Sequence, residues 1–125
     1  MNDPIRVFSV DDHPVVREGI AMIINSQPDM LIVAQAANGR EAITAFREQK
    51  PDVTLMDLRL PDMSGIDAMR AIRTEFPEAR IIILTTFESD EDVQRAMAGG
   101  ARAYILKSAP PKEMAEAIRR AHAGM

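Results

Sequence analysis

An alternation of apolar runs and helical patterns leaves this chain few folds to choose from. Five short apolar runs, at 5–10, 30–36, 53–56, 80–85 and 103–106, are each followed by a segment with helical periodicity. After the first run, Val16, Ile20, Ile23 and Ile24 fall on one helical face, and Pro14 suits a first turn. Asn38-Gly39-Arg40-Glu41 reads as a capping-box variant that opens a second helix with Ala42, Ala45 and Phe46 on one face, and Pro51 marks its end. Ser64 can cap a third helix carrying Ile66, Met69 and Ile72. Ser89 precedes Asp90, Glu91 and Asp92, acid in the first turn of a fourth that Gly99 and Gly100 stop. Pro110-Pro111 opens the fifth, with Met114, Ala117, Ile118 and Ala121 aligned and Gly124 near its end.

Strand and helix that alternate in this way predict an α/β domain with a parallel sheet. Near-continuous apolar strands such as Ile81-Ile82-Ile83-Leu84 suit a sheet covered by helices on both faces. A length of 125 residues fits one compact domain, taken as 1–125. The nine methionines read as core filler.

In an open parallel sheet, ligand sites form beyond the carboxyl ends of the strands. Here those ends are polar: Asp11-Asp12 after the first run, Asp57 after the third, Thr85-Thr86 after the fourth and Lys107 after the fifth. Carboxylates gathered in a low-dielectric cleft repel one another unless a cation sits among them or one takes a proton. Magnesium suits such a group because it prefers oxygen ligands and binds through one or two carboxylates plus a phosphate. Lys107 offers a compact positive charge for a phosphoryl oxygen. Asp57 is therefore the expected nucleophile of a phosphoryl transfer, with Asp11 and Asp12 holding the metal. Each residue alone has an ordinary structural reading: a cap, a turn, a solvated lysine, a β-forming threonine, a half-buried Tyr104. Thr85 is preferred to Thr86 on spacing. His13 could serve as a phosphate acceptor or metal ligand, yet its place just before Pro14 favours a helix cap or a surface position, and His122 is expected to be exposed or structural.

Four motifs in order carry a family likeness: Val10-Asp11-Asp12-His13; Met56-Asp57-Leu58-Arg59-Leu60-Pro61-Asp62-Met63-Ser64-Gly65; Leu84-Thr85; and Gly100-Ala101-Arg102-Ala103-Tyr104-Ile105-Leu106-Lys107. Over essentially its whole length the chain resembles bacterial two-component receiver domains. The resemblance implies a flavodoxin-like (βα)5 fold, doubly wound, with strand order 2-1-3-4-5. It implies transfer of a phosphoryl group from a histidine kinase to Asp57 with Mg2+, and the backbone carbonyl of Arg59 as a further metal ligand. It makes Thr85 and Tyr104 the switch, through a hydroxyl that bonds the phosphoryl group and an aromatic that changes rotamer and remodels the face formed by the fourth helix, fifth strand and fifth helix. Arg59 and Phe87 stand where they could gate attacking water. Ser108 replaces a proline that often follows the lysine in a cis bond. A cis bond between two non-proline residues costs about 2.5–4 kcal/mol, so the geometry there does not carry over from the resemblance.

The loop after Asp57 is similar to the NarL/FixJ type, whose members usually carry a C-terminal LuxR-type helix-turn-helix. The chain is accordingly expected to be one domain of a longer transcription regulator, with a stand-alone receiver as the alternative. A homodimer on phosphorylation is expected. A net charge of −4 and a pI of about 5.1 argue against nucleic-acid binding by this chain itself, so DNA contact is expected only through the output domain. Arg119-Arg120 reads as a solvated face near a helix end. The absence of cysteine and of any apolar run near the roughly 20 residues of a membrane span fits a cytoplasmic protein without membrane contact.

Three rivals differ in chemistry. A flavodoxin-type electron carrier needs a hydroxyl- and glycine-rich phosphate loop where this chain has Asp11-Asp12-His13-Pro14. An aspartate-based phosphatase normally carries Asp-x-Asp after the first strand. A pseudo-receiver, which never takes phosphate, would not need the full set of Asp, Thr and Lys. The chain is expected to be a signalling switch rather than an enzyme.

Overall fold

The computed structural model describes residues 3–86 and 89–124. In chain order the elements are β1 (Ile5–Val10), α1 (Pro14–Asn25), β2 (Met30–Ala36), α2 (Gly39–Gln49), β3 (Val53–Asp57), α3 (Gly65–Glu75), β4 (Ile81–Thr85), α4 (Asp90–Ala98), β5 (Ala103–Leu106) and α5 (Pro111–Ala123). All pairings are parallel and the sheet order is β2-β1-β3-β4-β5, the expected doubly wound arrangement. Two strand bounds move by one residue: Asp57 pairs with Leu84 and so belongs to β3, while Arg80 falls just before β4.

Side chains alternate across a strand, so the sheet builds two cores. On one face Val7, Val53, Leu55, Ile82, Leu84 and Ile105 meet Ile20 and Ile24 of α1 and Met114 and Ile118 of α5. On the other, Phe8, Val10, Met56, Ile81 and Ile83 meet α2 through Ala42 and Phe46, α3 through Ile66, Met69 and Ile72, and α4 through Ala96. Each large aliphatic side chain buried in this way contributes about 1.5–3 kcal/mol. Among the methionines, Met30, Met56, Met69 and Met114 fill core as expected, whereas Met22 and Met97 are exposed.

The helix starts follow local chemistry. Asn38 Oδ1 accepts from Glu41 N at 2.9 Å, Ser64 Oγ from Asp67 N at 3.0 Å and Ser89 Oγ from Asp92 N at 3.1 Å. His13 occupies the cap position of α1 but caps nothing with its side chain. Lys50 ends α2 in the left-handed region, with φ of 44°, one residue before Pro51. Gly100, with φ of +103°, lets the chain leave α4, and a Cβ there would also meet Arg73 Nε at 2.4 Å.

Arg119 departs from the solvated face expected of it. Its Nε and Nη2 donate to the two oxygens of Asp29 at 2.8 and 2.9 Å, and Nη2 also donates to Gln27, tying α5 to the turn before β2. Arg120 and His122 are exposed. Among the described residues no helix is long and apolar enough to cross a membrane.

Candidate functional site

The period of two along each strand selects which side chains meet. Asp57 continues the row of Val53 and Leu55, and Lys107 follows Ala103 and Ile105; both rows look toward α1 and α5. Asp11 extends the row of Val7 on β1. These ends converge: Lys107 Nζ lies 2.8 Å from Asp11 Oδ2 and 3.1 Å from Asp57 Oδ2. Thr85 continues Ile81 and Ile83 on the opposite face, and Tyr104 pairs in register with Ile83, so Thr85 and Tyr104 share that face on adjacent strands. Thr85 is buried and Thr86 exposed.

Asp11 is fully buried and Asp57 is 4% exposed. Burial pushes the Asp57 carboxyl above the usual carboxylate range; Lys107 and the backbone N–H of Arg59 pull it back, while the charge of Asp11 adds to the rise. For Lys107, burial works against the charge, but Asp11 and Asp57 together outweigh it and hold the ammonium above its ordinary value. Asp57 Oδ1 accepts from Arg59 N at 3.3 Å.

His13, whose place in the sequence favours a cap or surface position over a ligand role, stands at the edge of the site. Asp11 Oδ1 accepts its backbone N–H at 2.8 Å, and the ring Nδ1 lies 3.1 Å from both Asp11 Oδ1 and Asp12 Oδ1. Its side chain remains 64% exposed, which agrees with the surface reading. Arg17 Nη1 donates to the carbonyl of Asp11. Two residues escaped the sequence reading. Asp62 Oδ1 and Oδ2 accept from Gly39 N and Arg40 N at 2.8 and 3.0 Å, and these bonds hold its carboxyl below the usual range. Gly65 closes the loop where a Cβ would stand 2.0 Å from the carbonyl oxygen of Asp57.

One ligand atom from each of Asp11, Asp12, His13 and Asp57 lies within 4.8 Å of the others. Asp11 Oδ2 and Asp12 Oδ1 are buried, with Lys107 Nζ 2.8 Å from the first and His13 Nδ1 3.1 Å from the second. Oxygens of three carboxylates gathered this closely, with one ammonium among them, are a donor set that suits a hard divalent cation, so the residues present fit one. Arg59 lines a cavity of about 110 Å³ with His13, Asp57, Leu58, Thr85, Thr86 and Lys107. Its guanidinium turns away toward α4, 3.8 Å from Asp92. The peptide bond between Lys107 and Ser108 is trans. Phe87, expected beside Arg59, lies outside the described residues.

A five-stranded sheet in the order 2-1-3-4-5, with carboxylates and a lysine at its carboxyl edge, has flavodoxin-like architecture. Residues 7–119 match the response regulator receiver domain family, and the chain belongs to it. It is 43% identical over 122 residues to the transcriptional regulatory protein YxjL of Bacillus subtilis, covering 98% of this chain and 56% of that protein. It is 40% identical over 120 residues to the response regulator VraR of Staphylococcus epidermidis, covering 96% and 57%. The crystal structure of a LuxR-family two-component response regulator from Aurantimonas sp. SI85-9A1 superposes with a TM-score of 0.93 at 41% identity, covering 98% of this chain and 87% of that one. The chain spans about half the length of the curated relatives it matches. It is a receiver domain of the two-component type, whose general mechanism is phosphorylation on aspartate.

Proposed function

We propose that Asp57 is the phosphoacceptor, charged by the phosphohistidine of a sensor histidine kinase, and that the resulting change reaches an output domain that regulates transcription. The observation that carries this reading is the contact of Asp57 Oδ2 with Lys107 Nζ at 3.1 Å inside a cluster of three carboxylates. In the transfer, an Asp57 oxygen bonds to phosphorus as the phosphorus–nitrogen bond breaks; the kinase imidazole keeps the electron pair, and an acyl phosphate remains on Asp57. Lys107 directs its charge, and Thr85 its hydroxyl, at the phosphoryl oxygens. The N–H of Arg59 orients the carboxylate through Oδ1.

Asp11, Asp12, Asp57 and the backbone carbonyl of Arg59 would hold Mg2+. When bound, that ion neutralises the clustered negative charge of carboxylates and phosphoryl group. The gathering of ligand atoms from Asp11, Asp12 and Asp57 within 4.8 Å of one another supports this assignment.

Thr85 and Tyr104 act as the switch, a role supported by their shared sheet face on neighbouring strands. Tyr104 is 38% exposed on the sheet face it shares with Thr85. Phosphorylation raises the population of an active conformation of the α4–β5–α5 surface, and homodimerisation follows. Residues 1–125 form the receiver, and a C-terminal helix-turn-helix domain makes the DNA contact. The transcriptional-regulatory name of YxjL and the greater length of both relatives support that organisation. The protein works in the cytoplasm as a signalling switch, with chemistry confined to its own acyl phosphate.

Intact mass after incubation with acetyl phosphate, with and without Mg2+, tests the reading. A magnesium-dependent gain of one phosphoryl group, absent in Asp57→Asn, is the expected result. A gain that survives Asp57→Asn moves the acceptor elsewhere, and no gain in the wild type makes the chain a pseudo-receiver.

A further inference from the structure

The loop between β3 and α3, residues 58–64, follows the acceptor directly and is tied internally. Gly65 N donates to Leu58 O at 2.7 Å, Leu60 N to Met63 O at 3.3 Å, and Arg59 bridges Ser64. Leu58 anchors its start, donating its N–H to Leu84 O at 2.8 Å with its side chain buried in the core, and the internal bonds brace the rest, so the placement of residues 59–63 depends on what they lean against.

On the α4 side it leans on little. A cavity of roughly 250 Å³ separates Leu58, Leu60 and Met63 from Asp92 and Arg95. Among the described residues an ion pair spans the gap, Arg59 to Asp92 at 3.8 Å, and the Arg59 side chain is 74% exposed, a geometry that restrains weakly.

On the α2 side the support is specific. Both oxygens of Asp62 accept backbone N–H groups from the first turn of α2, Gly39 at 2.8 Å and Arg40 at 3.0 Å. Such groups have no acceptor inside the helix and lie at its positive end. Asn38 already caps that helix through Glu41 N, so Asp62 supplies a second restraint from a distant part of the sequence rather than the cap itself. Next to it, Met63 fills the space left by the missing side chain of Gly39, where a Cβ would stand 2.5 Å from Met63 Cγ.

We propose that Asp62 is a positioning residue for phosphoryl transfer: by seating the loop on α2, it fixes where the N–H and carbonyl of Arg59 stand relative to Asp57. The inference rests on the assignment of Asp57 as acceptor and of the Arg59 carbonyl as a metal ligand. Asp62 touches no substrate, and its effect passes through Arg59.

The test compares wild type, Asp62→Ala, Asp62→Asn and Asn38→Ala. Three quantities are read for each: thermal midpoint, Mg2+ affinity by titration calorimetry, and Mg2+ dependence of mass gain from acetyl phosphate. Asn38→Ala removes a cap from the same helix without touching the loop, so it reports the purely structural effect. Asp62→Ala is expected to weaken Mg2+ binding about tenfold, the scale of losing an outer-shell partner. Asp62→Asn, which keeps one acceptor oxygen, falls between, and Asn38→Ala lowers the midpoint while binding Mg2+ as the wild type does. Wild-type Mg2+ affinity in Asp62→Ala overturns the proposal, as does an equal weakening in Asn38→Ala. If Asp62→Ala does not fold, Asp62→Asn decides by the same criterion. A wild type that binds Mg2+ but takes no phosphoryl group removes the reading of Asp57, and the calorimetry still decides whether Asp62 orders the site.

Discussion

Lys107 Nζ lies 3.1 Å from Asp57 Oδ2 although β4 runs between the strands that carry them. The same ammonium stands 2.8 Å from Asp11 Oδ2, so one positive charge serves two buried carboxylates. Lys107→Ala leaves both without it. Breaking a buried pair from one side costs about 3–5 kcal/mol, and the partial exposure of Lys107 sets the expectation at the lower end. The rate of mass gain from acetyl phosphate should fall by about 10² or more, the scale of losing one preorganised donor. Lys107→Arg should not restore it, because a planar fork cannot replace a compact ammonium between two oxygens. Near-normal phosphorylation of Lys107→Ala would remove the lysine from the chemistry.

The acidic cluster holds more negative charge than Lys107 balances, and burial already disfavours the charged form of Asp57. Mg2+ is therefore expected to raise the unfolding midpoint of the wild type, by about 2.7 kcal/mol in stability at a hundredfold excess over Kd. Asp57→Asn should unfold at a higher temperature than the wild type in EDTA and gain less from Mg2+. Thermal unfolding of both proteins in EDTA and in Mg2+ measures this; a midpoint indifferent to Mg2+ argues against a cation among these carboxylates.

Arg119 and Asp29 give a pH dependence of opposite origin. Hydrogen bonds from Arg119 hold the Asp29 carboxyl below its ordinary value of 3.8, against a smaller upward push from burial. A depressed folded-state value means the stabilisation is present above 3.8 and is lost as pH falls through the lowered value. With side chains 39% and 46% exposed, solvent screening limits the pair to under about 1 kcal/mol. Urea denaturation should find Arg119→Ala slightly less stable than wild type at neutral pH, with the gap closing in strong acid. A gap that widens in acid would contradict the assignment.

Thr54 lies in β3 with its hydroxyl buried and without a hydrogen-bond partner among the described residues. Thr54→Val keeps the shape and removes the unsatisfied group, so a gain of about 1 kcal/mol is expected by urea denaturation. A loss of that size would mean the hydroxyl is bonded in solution.

Much of the fold was legible in the chain because it is decided locally. Whether Ile81-Ile82-Ile83-Leu84 forms a strand, or Ser64 and Ser89 cap helices, depends on residues a few positions away. The polar strand ends were legible for the same reason: Asp11, Asp57, Thr85 and Lys107 interrupt apolar runs that an open parallel sheet aligns. Even the side of the sheet follows from a period of two, once the register is known.

Long-range contacts carried no such signal. Asp62 reads as a loop residue until folding sets it against the open N–H groups of Gly39 and Arg40. Arg119 reads as helix surface until the turn before β2 brings Asp29 under α5. His13 reads as the residue before Pro14 until its ring comes within 3.1 Å of two carboxylates. Which elements form, and which polar groups sit at their ends, is written in short stretches of the chain, because propensity, capping and periodicity act over a single turn or strand. Which of those groups meet follows from packing, because it depends on how helices lie on both faces of the sheet, and angstrom-scale distances then set charge, burial and hydrogen bonding together.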